Sequence, residues 1–347
     1  MPSFGLDISD KSIKYVELKR HSNTLKLGRF GEIILPEQVI SSGKIQDPKK
    51  LADKIFDLRK SLNLPFVRLT LPEEQIYLFT ISIPKIEPEQ IRGTIELSLE
   101  QYVPLPTGEA IFDYDLIKEE ESAYILQVAA ISGFVVGSYV DLCKSAKMTP
   151  ACFELEGSPL ARALIKYGDT KTYMLIDFGD ARTGIIITTG HRVLFSTTVP
   201  LGGTMLTQLI AKNFGVKVEE AETLKREHGL SRDVQNAELF NTIIGGVSVL
   251  KDEIYKNYDY WNTHKDEIGN VRPPIEKIIL SGGNANLIGI TEYLEASLKI
   301  PVVLGDVWLN MRPDGKIGKD YLPAMNFEES LSYAMAIGLA LGDFEQD

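Results

Sequence analysis

Phe4, Leu6 and Ile8 alternate with Gly5, Asp7 and Ser9, and this period of two predicts a strand with one apolar face. A turn at 9–12 leads to a second predicted strand at 13–18, and a turn at Ser22 and Asn23 to a third at 25–34. The period then becomes helical. Asp47 suits an N-cap, Pro48 suits the first turn, and Leu51, Ile55, Leu58 and Leu62 share one face. A strand at 67–71 follows.

The same order recurs in the second half. Strands at 173–178, 183–188 and 193–199 are separated by turns at 179–182 and Gly190. A helix at 204–214 places Leu206, Leu209 and Ile210 together, and a strand at 277–280, a helix at 286–298 and a strand at 302–304 complete the unit. Asp7 and Asp177 therefore close equivalent first strands. Such an echo, with little residue identity, predicts two similar α/β lobes around a shared cleft.

Two insertions interrupt the halves. Residues 75–147 read as a strand, a helix at 87–103, two strands and a helix, a small α/β module. Residues 217–262 are nearly all helical, with Phe240, Ile243, Val247, Leu250, Ile254 and Trp261 on one face. The final helix, 327–341, opens with Asn326 and Glu329 in a capping box. Its Ala334, Ala336, Gly338 and Ala340 admit a close backbone approach, and Gly342 reads as the stop after it. The uncharged stretch 122–140 carries Gln127, Gly133 and Gly137 and reads as a buried strand at 123–131 followed by a helix to 147, not as a membrane span.

The chain has 347 residues, enough for two or three domains. Its charge, 37 − 48 = −11, opposes nucleic acid as a partner. Two cysteines, Cys143 and Cys152, and four scattered histidines exclude a disulfide scaffold and argue against a nitrogen–sulfur metal site, leaving oxygen ligands open. Asp7, Asp10 and Lys11 fall where a signal peptide would be apolar, so the expected compartment is the cytoplasm.

Residues 5–12, G-L-D-I-S-D-K-S, lie one residue from a P-loop, with Asp10 in place of its second glycine. Carboxylates there would oppose phosphate, and a strand rather than a helix follows, so the P-loop is rejected. The alternative is a β-hairpin from each lobe holding a phosphate tail, with Asp7 and Asp177 turned to the water shell of Mg²⁺. One hairpin alone would favour an ordinary Asp turn; their repetition favours the ligand. The Gly282–Gly283 turn in L-S-G-G-N-A-N-L at 280–287 lets a base or ribose lie against backbone. Glu222 and Lys225, three apart on one helix face, suit ribose hydroxyls or a plain surface ion pair.

In their order, these motifs resemble the actin/Hsp70/sugar-kinase ATPase superfamily and, within it, the PilM family of type IV pilus assembly, related to FtsA. Residues 4–18 are similar to its first phosphate motif, 175–183 to its second, and 200–204 with Ala221, Glu222 and Lys225 to the stretch between phosphates and ribose. Residues 281–286 are similar to the adenosine motif, and 154–164 and 329–341 to the connecting helices. Leu71, Ile83-Pro84, Glu96 and Tyr102-Val103-Pro104 resemble the inserted subdomain.

The resemblance implies an α/β, actin-like ATPase fold with two ribonuclease-H-like lobes. Lobe 1 (1A) would take 1–74 and 148–171, the inserted 1C subdomain 75–147, lobe 2 (2A) 172–216 and 276–325, and the helical 2B subdomain 217–275, while 326–347 return to lobe 1. It implies ATP or ADP with Mg²⁺ at Asp7, Ser9, Asp10, Lys11, Ser12, Lys14, Asp177, Gly179, Asp180, Arg182, Thr183, Gly202, Gly203, Glu222, Lys225, Gly282, Gly283, Asn284 and Asn286, with Asp7 and Asp177 meeting the metal through water. Glu156 would position attacking water, or else simply favour a helix N-terminus.

The implied partner is the N-terminal tail of a PilN-like inner-membrane protein, which would recruit the chain to the inner face of the membrane beside other platform or motor proteins. The family usually has Gly at Ser9, Ser or Thr at Asp10, and small residues at Asp180 and Arg182. Hydrolysis is therefore expected to be slow at most. The alternatives are a type II secretion platform protein, an FtsA-like divisome protein and a small-molecule kinase. The acidic D-F-E-Q-D at 343–347 speaks against an FtsA-like membrane helix, and no acceptor-cleft aspartate loop of a kinase is recognisable.

Overall fold

A computed structural model describes residues 3–21, 24–41, 43–63, 66–231, 236–311 and 324–344. The first half contains β1 (Phe4–Ile8), β2 (Ser12–His21), β3 (Thr24–Ile34), the short pair β4 (Ile40–Ser41) and β5 (Lys44–Ile45), α1 (Pro48–Leu62) and β6 (Phe66–Thr70). Then come β7 (Ile76–Pro84), α2 (Pro88–Ser98), β8 (Ala110–Glu119), β9 (Ala123–Ser132), α3 (Gly133–Ser145), β10 (Thr149–Glu154) and α4 (Gly157–Leu164). The second half contains β11 (Thr172–Phe178), β12 (Thr183–Thr189), β13 (Arg192–Val199), α5 (Gly203–Phe214), α6 (Val218–His228) and α7 (Ala237–Thr263). It ends with β14 (Lys277–Ser281), α8 (Ile290–Leu298), β15 (Val302–Leu304), α9 (Phe327–Leu331) and α10 (Ala334–Leu341).

Two five-stranded sheets have one topology. The first runs β3-β2-β1-β6-β10 and the second β13-β12-β11-β14-β15. In each, an antiparallel meander of three strands is extended by two parallel ones. The echo read from the sequence is thus a repeated sheet. Asp7 pairs with Lys14 across β1–β2, and Asp177 pairs with Gly184 across β11–β12.

Helices α4 and α10 lie between the sheets. Leu160, Ala163, Ala336, Ile337 and Leu341 share a core with Val16 and Leu18 of the first sheet and Tyr173, Leu175 and Ile279 of the second. The outer face of the first sheet is covered by α1 and α3, whose Leu51, Ile55, Leu142 and Cys143 are buried together. The outer face of the second is covered by α5, α7 and α8. This explains why β1 is buried on both faces. Phe4 and Leu6 face one core, while a Cβ at Gly5 would fall 2.0 Å from the Ala336 carbonyl oxygen. Gly338 approaches as closely: its Cβ would stand 1.8 Å from the Pro159 carbonyl oxygen.

The sheet β7-β9-β8 has its own core with α2, around Ile81, Ile95, Leu99, Leu126 and Val128. It touches lobe 2 through Gln127, whose Nε2 donates to the Val193 carbonyl at 2.6 Å. No described helix is long and apolar enough to cross a membrane.

Asp47 caps α1 and Asn326 caps α9, each accepting the backbone N–H three residues on. Three helices are shorter than their periodicity predicts. The helix expected over 87–103 ends at Ser98 and continues as a 3₁₀ turn, Leu99–Gln101. The one expected over 286–298 is a 3₁₀ turn at Gly283–Asn286 and then α8, because Gly289 adopts φ +78° and breaks the spiral between them. The last helix breaks at Ser332 and Tyr333 into α9 and α10. Gly342 does follow α10, but with φ −58° it is not a left-handed stop; a Cβ there would meet the Arg68 guanidinium at 2.9 Å. The expected turn at Ser22 and Asn23, and residues 345–347 of the acidic tail, lie outside the described residues.

Candidate functional site

The carboxyl ends of β1, β10, β11 and β14 converge between the lobes, where a ligand is expected in a sheet of parallel crossovers. They enclose a cavity of about 510 Å³. Of the sequence-predicted residues, Asp7, Ser9, Asp10, Lys11, Ser12, Lys14, Glu156, Asp177, Gly179, Asp180, Arg182, Glu222, Lys225, Gly282, Gly283, Asn284 and Asn286 line it. Thr183, Gly202 and Gly203 stand behind the lining. Thr183 Oγ1 donates to the Leu201 carbonyl at 2.6 Å, and a Cβ at Gly203 would collide with the Asn284 side chain at 2.0 Å.

The first hairpin turns tightly. Ser9 N donates to the Ser12 carbonyl at 2.9 Å, and Ser12 N donates to Ser9 Oγ at 3.2 Å. A strand follows Ser12, which removes the P-loop reading. In the second hairpin, Gly179 N donates to the Arg182 carbonyl at 3.1 Å. The hairpins face one another, and Lys11 Nζ donates across the cleft to Thr204 Oγ1. Asp10 is not aimed only at the cavity, since its Oδ1 accepts the Gly43 N–H at 3.2 Å.

Asp7 and Asp177 lie at the cleft floor. Burial, then the nearby Asp7 charge, pushes the Asp177 carboxyl up to about 6. Burial likewise raises Asp7, against the pull of Lys14 and Arg182. Burial works against the Lys14 charge, but Asp7 and Glu32 raise its pKa overall, and Lys14 Nζ stands 3.3 Å from Glu32 Oε1. Two carboxylates held together at this cost suit a divalent cation. Among the described residues no group of three or more acids, histidines or cysteines is placed to hold a metal ion directly, and a cation met by two carboxylates would keep most of its water shell.

On the opposite wall, Lys225 is buried and its Nζ reaches Glu222 Oε2 at 2.8 Å and Asn284 Oδ1 at 3.0 Å. Burial would raise Glu222, but Lys225 and Thr207 hold it down at about 2. Asn284 Nδ2 donates to the Gly179 carbonyl and to Asp180 Oδ1, each at 3.0 Å, so the Gly-Gly turn is bolted to the second hairpin. Gly282 needs its φ of +90°, and its Cβ would meet Phe178 O at 2.5 Å. Gly283 is different: its Cβ would find only Ser332 Cβ, at 3.8 Å. The backbone at Gly283 is therefore open to the cavity.

Glu156 occupies the N-cap position of α4 but caps nothing. Its Oε1 accepts from Arg182 Nη2 at 2.8 Å. Burial pushes its carboxyl up to about 8, helped by Glu73 and Glu74 and opposed by Arg182. Sequence reading missed Glu32, Arg226, Asn326, Glu328, Glu329, Ser332 and Met335, which also line the cavity. The Asn326–Glu329 capping signal marked where one group of them sits, without showing that the α9 start closes the cleft.

Two repeated lobes, paired hairpins and a Gly-Gly floor define a protein of the actin-like ATPase fold. The structures it is similar to share that architecture at low identity. Against a chain of a PilM–PilN type IV pilus biogenesis complex the identity is 20%, covering 100% of this chain and 99% of the other, with a TM-score of 0.80. Against the ethanolamine utilization protein EutJ of Carboxydothermus hydrogenoformans it is 14%, over 98% and 89%, with a TM-score of 0.57. Against MreB5 of Spiroplasma citri, solved bound to ADP, it is 14%, over 90% and 94%, with a TM-score of 0.55. The chain belongs to the family of the type IV pilus assembly protein PilM, which matches residues 5–344.

Proposed function

We propose that this member of the PilM family is a nucleotide-binding scaffold of type IV pilus assembly. It would hold ATP or ADP with Mg²⁺ between its lobes and bind the N-terminal tail of a PilN-like inner-membrane protein at the membrane's inner face. The observation that carries the nucleotide reading is the convergence of both hairpins, Asp7, Asp177 and the open Gly283 floor on one cavity. The ADP bound by the similarly folded MreB5 supports it.

In this reading the hairpin amides and Lys11 hold the phosphates. Glu222 and Lys225 face the ribose, and 282–284 carry the base. Mg²⁺ would supply charge neutralisation for the phosphates, with Asp7 and Asp177 ordering its water. Glu156 is the candidate for orienting water, but Arg182 engages it, which favours occupancy over turnover. Titration calorimetry with Mg²⁺ and ATP or ADP tests the site. Binding by the wild-type chain and its loss in Asp7→Ala are expected; unchanged affinity in the variant would remove the assignment.

The partner reading rests on the PilM–PilN complex of like fold and on the β7-β9-β8 module, whose outer strands β7 and β8 leave edges that an extended peptide can pair with. Hydrogen exchange with a PilN-like peptide should protect residues within 75–147. Protection confined to 172–325 would rule the module out.

A further inference from the structure

Arg182 belongs to the lobe 2 hairpin, yet both its carboxylate partners come from the other half of the chain. Its Nη2 donates to Glu156 at 2.8 Å, and its Nη1 donates to Glu74. Glu74 lies in the 3₁₀ turn Glu73–Gln75, from which the three-stranded module departs through β7. The same turn is fastened through Glu73, whose Oε2 accepts the Glu156 N–H at 3.0 Å. One guanidinium therefore joins the second hairpin, the start of α4 and the root of the module.

The same side chain lines the cavity beside Asp7, Asp177 and Asp180. These carboxylates make the end of the cleft hostile to the last charges of a triphosphate. Lys14 and Lys225 are engaged at the flanks, by Glu32 at 3.3 Å and Glu222 at 2.8 Å. A planar guanidinium matches phosphate oxygens in a way that an ammonium does not. Of its two partners, Glu74 is nearer to water, with its side chain 22% exposed against 12% for Glu156. Releasing Glu74 to solvent therefore costs less than baring Glu156.

We propose that Arg182 selects a nucleoside triphosphate over a diphosphate in this cleft by exchanging Glu74 for the terminal phosphate, which loosens the root of the module when the triphosphate is bound. The inference rests on the nucleotide reading above. It differs from it in assigning the discrimination to one residue and in naming the contact given up.

The test is titration calorimetry with ATP and with ADP, each with Mg²⁺, on the wild-type chain, Arg182→Ala and Glu74→Gln. Arg182→Ala should weaken ATP by about tenfold or more and ADP by much less, the loss of one charge-assisted pair. Glu74→Gln removes the competitor and should tighten ATP severalfold while leaving ADP nearly unchanged. Amide exchange in β7 should be faster with ATP than with ADP in the wild-type chain. A merely structural role would move both nucleotides together and give both variants one sign; that result overturns the inference while leaving the nucleotide site in place. Equal β7 exchange with the two nucleotides overturns the link to the module. A wild-type chain that binds neither nucleotide overturns the reading of the cleft and the inference with it.

Discussion

Glu156 gives the cleft an unusual dependence on pH. Its carboxyl stands near 8 in the folded chain against an ordinary 4.5, so between those values the folded state holds a proton that the unfolded chain has lost. Its contribution to stability is complete below the ordinary value and disappears as pH rises through about 8. Asp177 acts in the same sense up to about 6. The unliganded chain should therefore lose thermal stability from weakly acidic to weakly basic pH, and Glu156→Gln should flatten that slope; parallel melting curves for the two would contradict the assignment. Gly283→Val should leave the melting temperature nearly unchanged, since its nearest neighbour is 3.8 Å from the added Cβ, yet abolish nucleotide binding by filling the floor. At this scale the sequence was most readable where chemistry is local. Asp7 and Asp177 stood out because their hairpins repeat, and Gly283 because its Gly-Gly turn follows a strand; all three line the cavity. That Asp10 would bond the Gly43 amide, or Arg182 reach Glu74, depended on segments 33 and 108 residues away.

Helices α4 and α10 cross with almost no side chain between them at Gly338. Gly338→Val would drive a branched side chain into the Pro159 carbonyl and should destabilise the chain by about 3 kcal/mol or more, as strained overpacking does. Urea denaturation measures this directly, and a shift below about 1 kcal/mol would mean that the helices separate easily. The stripe Ala334, Ala336, Gly338 and Ala340 announced such a contact without naming its partner. Strand alternation and the helix caps were equally legible, because pleat and capping are set within a few residues. Helix lengths were not. A 3.6-residue period survives across a break of two or three residues, so the pattern ran through 287–289 and through Ser332 and Tyr333, where the helix does not.

The two lobes repeat one sheet topology on a shared helical layer, and nucleotide between them should act as a clamp. Hydrogen exchange is expected to slow together in 9–12, 179–182 and 283–286 when Mg²⁺ and ADP are added; slowing in one lobe alone would show that the cleft does not close on its ligand. The repeat was visible in element order because topology leaves its trace in spacing even when residues diverge. That α4 and α10 lie between the sheets was legible only through the resemblance of 154–164 and 329–341 to connecting helices, since an apolar helix does not say which sheet it covers. That layer also sets a timetable for synthesis. Gly5 on β1 rests on the backbone of Ala336 and Ala340, so this strand waits for a helix made more than 300 residues after it. While the ribosome is still elongating, lobe 2 can assemble around its own outer helices, but β1 and β2 must remain without their inner cover until α10 emerges. A chaperone that holds exposed strands would thus meet the first meander until α10 is made, and nascent chains stalled before Ala334 should be cut by protease in the first meander while the second resists.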